Sequence, residues 1–143
     1  MNDSWGRRFF KAGAVWLLLL GMVHSTSLFQ KPHPANETER QLLDLMNTYH
    51  FNLMGSSRTM SELVQGFSAS FAVAALAFGL LDLFLSRESA ALLERVAIVN
   101  ALWLATMIII SLVYFFVVPT FFLATALLIF IVAWVKLPRS QTD

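Results

Sequence analysis

The chain contains no cysteine, and only 13% of its 143 residues are charged. The first absence excludes disulfides, thiolate metal sites and a cysteine nucleophile, and it leaves the redox compartment open. The second is about half the charged share of an ordinary soluble domain. The formal net charge of +1 is too small for the basic excess that marks a nucleic-acid partner. Motif-level chemistry is missing too: no HExxH, no closely spaced histidine pair, no Gly-rich phosphate loop and no nucleophile elbow. Neither an internal repeat nor a low-complexity linker breaks the chain, and its length fits one domain.

What fills the sequence instead is hydrocarbon. Hydrophobic residues make up 57% and the mean hydropathy is +0.66. Four apolar runs, at about 12–29, 63–85, 96–118 and 119–135, are close to the ~20 residues a helix needs to cross a bilayer. The fold expected is all-α: an integral membrane, antiparallel four-helix bundle forming one transmembrane domain over residues 1–143. The first run has a rival reading as a signal peptide, because Arg7, Arg8 and Lys11 precede it and Val23-His24-Ser25 resembles a cleavage site. Its apolar stretch is longer than a signal core and His24 fits a cleavage site poorly, so an uncleaved span is favoured. Val96 to Val135 holds no charged residue. As one helix it would be about 60 Å long, twice the hydrocarbon thickness, so the chain is expected to fold back at Val118-Pro119-Thr120. Proline suits the first turn of the next helix.

Basic residues set the orientation. Arg7, Arg8, Lys11, Arg87, Arg95, Lys136 and Arg139 fall on one side, against Lys31, Arg40 and Arg58 on the other. That asymmetry predicts cytoplasmic termini and an outward-facing segment from Gln30 to Glu62. Within this segment Asn36 and Glu39 have the spacing of a helix cap and its partner. Leu42, Leu45, Met46, Tyr49 and Leu53 then recur on one face, with Arg40, Gln41, Asp44, Asn47 and Thr48 opposite. The pattern predicts an amphipathic helix over about 36–54, lying on the membrane surface or capping the bundle. Asn36-Glu37-Thr38 also matches a glycosylation sequon, which matters only in a eukaryotic secretory pathway.

Two polar clusters are candidates for function. Gln65, Ser68, Ala72, Ala75, Gly79, Asp82 and Ser86 fall at steps of three or four along the second span. Such a stripe of small and polar residues reads as a helix-packing seam. Asp82 stands out, because a charge at mid-bilayer costs at least ~2.5 kcal/mol. Arg87, Arg95 or Asn100 are its expected partners, and Asp82, Arg87 and Asn100 read as a structural polar cluster. The other cluster is a candidate ligand site of His24, Arg58, Glu62 and Gln65, at the facing ends of the first two spans. A histidine beside a carboxylate can relay a proton. Zinc through His24, His50 and Glu62 is not favoured, as that ligand set is thin.

The block around His24, with Ser57-Arg58-Thr59-Met60 and Gly66-Phe67-Ser68, resembles a family of small, uncharacterised bacterial four-span membrane proteins. The resemblance covers most of the chain through short motifs. It implies a four-helix fold in a bacterial inner membrane and carries no known activity. Three functions are therefore weighed. The first is a protein binding a small molecule, lipid or partner subunit within its helices. The second is an enzyme or proton-coupled carrier using His24 and Glu62. The third is a structural accessory subunit. The lipid bilayer is the partner all three share, and the residues name no cofactor.

Overall fold

The computed structural model describes residues 3–138; Arg139, counted in the basic asymmetry, lies outside them. Five α-helices and one β-hairpin follow in order: α1 Asp3–Thr26, α2 Glu37–Thr48, β1 His50–Leu53, β2 Ser56–Thr59, α3 Met60–Leu85, α4 Ala90–Tyr114 and α5 Val117–Lys136. A short 3-10 turn, Ser27–Phe29, continues α1. Four helices are long and apolar enough to cross a membrane: Ser4–Phe29, Met60–Leu85, Ala90–Tyr114 and Val117–Lys136. This is an integral membrane protein. Among the described residues the contacts fall into two compact units, residues 3–20 with 75–138, and residues 21–74.

In the first unit, helices meet where glycine or alanine removes bulk. A Cβ on Gly13 would lie 2.8 Å from the Phe130 ring, and one on Gly6 would lie 2.8 Å from the Leu137 backbone nitrogen. Phe130 is fully buried, with the edge of its ring on Phe10 at a centroid distance of 5.6 Å. Trp16 stacks on Phe122 and its indole N–H donates to the Phe122 carbonyl at 3.0 Å, so an amphipathic ring satisfies its one donor without water. Gly79 of α3 lets Leu18 and the Ala14 carbonyl approach to where a Cβ would stand. Between lipid-embedded helices such close approach supplies the van der Waals contact that hydrophobicity cannot.

Several boundaries differ from the sequence expectation, and α1 already begins at Asp3, which brings Arg7, Arg8 and Lys11 into the helix. α4 starts at Ala90 and not near Val96, because Ser89 caps it by accepting from the Leu92 N–H; the cap draws Glu94 and Arg95 into the helix. The chain folds back at Phe115–Phe116, between α4 and α5. Pro119 is then the third residue of α5, inside the first turn, where its missing N–H would have had no helical partner. The Ser111 and Thr120 hydroxyls meet across this joint at 2.7 Å.

The second unit contains α2, which is two turns shorter than expected. Asn36 caps it, accepting from the Glu39 N–H at 2.9 Å, while Glu39 returns to the Ala35 N–H. Arg40 pairs with Glu37 at 2.6 Å, which holds the Glu37 carboxyl below its ordinary range and raises the guanidinium. The helix ends at Thr48, and residues 50–59 form an antiparallel hairpin with Phe51 opposite Arg58 and Asn52 opposite Ser57. Its Met54-Gly55 turn has positive φ at both positions, 49° and 88°, the two-residue geometry that matches strand twist. Asn52 Oδ1 braces it by accepting from the Gly55 N–H. The apolar face of α2 is uncovered: Leu42, Leu45 and Tyr49 are 55%, 61% and 65% exposed. Replacing Asn36 with alanine is expected to cost α2 about 1 kcal/mol, read as faster amide exchange over 37–48 with exchange in α3 unchanged.

Candidate functional site

The β2–α3 junction is built by a reciprocal cap. The Thr59 hydroxyl accepts from the Glu62 N–H at 3.2 Å, and Glu62 Oε2 accepts from the Thr59 N–H at 2.9 Å. Thr-x-x-Glu is the pattern in which two otherwise unpaired donors satisfy each other's residue. It leaves Thr59 buried without an unpaired polar atom. It also fixes Arg58 just before the first turn, where Nη1 donates to the Ser57 carbonyl at 2.9 Å. Along the helix below it, Arg58, Glu62, Leu63, Gly66, Phe67 and Ser70 line an open groove of about 400 Å³. Gly66 is its floor: a Cβ there would meet nothing within 4 Å. Ser70 Oγ donates back to the Gly66 carbonyl at 2.9 Å, so it lines the groove with its own donor already spent. Phe67, 76% exposed, forms the wall.

Of the four residues expected to converge, Arg58 and Glu62 share this groove, while Gln65 is exposed on the same helix. His24 is elsewhere. Its ring packs edge-on to Phe71, centroids 4.8 Å apart, beside the Ser68 backbone. Ser68 lies six residues beyond Glu62, about 9 Å further along the helix. Among the described residues no hydrogen bond or ion pair joins His24 to Arg58 or Glu62, and His24 Nε2 is buried without a partner. The expected shared cluster is thus divided, because Glu62 is drawn to the helix N-terminus by the cap. His50 is likewise engaged, through Nδ1 and the Thr48 carbonyl at 2.8 Å. Among the described residues no three His, Asp or Glu side chains gather as a metal ion would require.

At the other end of α3, Asn100 Nδ2 donates to Asp82 Oδ2 at 2.8 Å, with both residues buried. Arg87, the third member expected there, sits in the α3–α4 turn, and among the described residues no hydrogen bond or ion pair joins it to Asp82. Instead Arg7 of α1 reaches that turn, donating to the carbonyls of Ser86 at 3.4 Å and Glu88 at 2.6 Å. Both carbonyls lie in the turn that follows α3, so the guanidinium supplies donors to backbone acceptors outside any helix. Sequence reasoning placed Arg7 only as a topology signal. The polar turn Ser86-Arg87-Glu88-Ser89 was the available hint that a donor was needed. Compared with protein-family models, with curated proteins and with solved structures, the chain matches none.

Proposed function

We propose that the protein is a binding subunit of a bacterial inner membrane, an antiparallel four-helix bundle that engages a partner transmembrane helix along the first half of α3. The observation that carries this is the groove at Gly66: an open floor, a projecting ring and two charges at its mouth. A groove of that shape takes a side chain and a close-packed backbone, which is how helices recognise one another in lipid. An acid–base reaction would need His24 and Glu62 at one point, and each engages a different group. The pairing of Gly6 with Leu137, Gly13 with Phe130 and Trp16 with Phe122 supports opposed directions for α1 and α5. A photoreactive phenylalanine analogue at position 67, illuminated in native membranes, is expected to yield a protein adduct. Adducts to lipid alone would overturn the reading.

One observation favours a second reading, a small polar ligand beside His24, since its buried Nε2 lacks a partner and such groups ordinarily have one. Orientation follows the positive-inside asymmetry: reporter fusions at Ala35 and at the C-terminus are expected to report opposite sides, with the C-terminus cytoplasmic. A C-terminus on the outer face would reverse the proposed topology.

A further inference from the structure

We propose that the helix occupying the α3 groove is α3 of a second copy of this chain, in a two-fold symmetric dimer. The inference rests on the partner-helix reading above and names the partner. A two-fold interface must be self-complementary, so each feature needs its counterpart on the same face. This face has them in pairs.

The first pair is electrostatic. Arg58 and Glu62 flank the groove mouth, yet they form no ion pair with each other. Their contacts are local, Arg58 to the Ser57 carbonyl and Glu62 Oε2 to the Thr59 N–H. The guanidinium keeps most of its five N–H donors, and Glu62 Oε1 accepts nothing among the described residues. Two copies inserted in the same orientation place each α3 parallel to the other at equal depth. Arg58, in β2 just before α3, then meets the groove mouth that carries Glu62 of the other copy. The symmetry operation supplies the same pair again.

The second pair is steric. Gly66 and Ser70, one helical turn apart, form a depression, and the neighbouring Phe67 projects beside it. Rotation about the two-fold sets each Phe67 against the other copy's Gly66 and Ser70. The Ser70 hydroxyl is already bonded to the Gly66 carbonyl, so covering it strands no donor. An acyl chain could lie against Phe67 and Gly66, but it offers nothing to a paired cation and anion. Two opposite charges on one face call for a partner bearing the same two.

The absence of cysteine makes the test direct, because any introduced thiol is the only one. Ser70→Cys, oxidised in native membranes, is expected to give a disulfide-linked dimer. Val64→Cys, exposed but about half a turn around α3 from Gly66, is expected to stay monomeric. Equal cross-linking at the two positions would mean random collision and overturn the dimer. Charge reversal gives an independent check within the Ser70→Cys background. Arg58→Glu or Glu62→Arg alone is expected to lower self-cross-linking about five-fold, the scale of the two exposed ion pairs that a symmetric dimer loses together. Co-expressing the two differently tagged variants restores opposite charges at both mouths, and their mixed dimer is expected at near the parental level. Because both variants are present in that sample, a folding defect in either would suppress it. No preference for the mixed dimer overturns the proposal. If Ser70→Cys forms no dimer while the photoreactive residue at 67 captures a different protein, the second copy is wrong and the partner-helix reading stands. If that residue captures lipid alone, both fail.

Discussion

Replacing Asn100 with leucine is expected to lower thermal stability in detergent more than any exchange on the lipid-facing surface. Asn100 is the donor to Asp82, which is 1% exposed. Without it a buried carboxyl group loses its hydrogen bond, at a cost of about 1–3 kcal/mol or more if the group is charged. Asp82→Leu should cost a similar amount by stranding the Asn100 amide, whereas Asp82→Asn keeps an acceptor and should retain most of the stability. The decisive variant is the double one. Asp82→Leu with Asn100→Leu removes both polar groups together, and such paired replacement is often nearly neutral. Recovery of most of the loss in the double variant would establish the pair as a register device. Wild-type stability in either single variant would show that the bond is not structural.

The second large effect concerns two glycines on one helix. Gly79→Ala places a methyl group 2.8 Å from Leu18 and 2.9 Å from the Ala14 carbonyl oxygen. The leucine can turn aside, but the backbone oxygen moves only with α1. A loss of about 1–3 kcal/mol is expected. Gly66→Ala meets nothing. In a monomeric detergent preparation it should gain up to about 1 kcal/mol from better helix propensity. Opposite signs for one substitution type on one helix would be read from the two melting temperatures. A destabilised Gly66→Ala monomer would mean that the floor of the groove is occupied within the chain itself.

The seam on α3 was legible because period and polarity agree there. Ala72, Ala75, Gly79, Asp82 and Ser86 share a face, and all are buried. The four membrane helices were legible for the same reason, as composition alone distinguishes them. The hairpin was not. His50 to Leu53 continues the apolar spacing of α2, and what ends the helix is the turn chemistry of Asn52, Met54 and Gly55, a signal lying beyond the periodic stretch. The cap at Thr59–Glu62 was written in the sequence as plainly as the Asn36–Glu39 cap. Glu62 also suits a partner for His24, so residue type alone does not select the cap. Depth, not residue type, separates those two, and depth follows only once α3 is known to begin at Met60. The α4 start was hidden by charge: Glu94 and Arg95 look extramembrane, but a Ser89 cap carries them into the helix.

The joint between α4 and α5 bears on how the chain is made. Two residues, Phe115 and Phe116, separate the helices, and they span at most about 7 Å. α5 therefore has no slack in which to wait on one side of the bilayer while α4 settles in it. The two are expected to enter the membrane as one hairpin, with the Ser111 and Thr120 hydroxyls satisfying each other beside the turn. A nascent chain halted before α5 has emerged would leave α4 without the helix it packs against. Biogenesis of this half of the protein is thus committed by a two-residue turn.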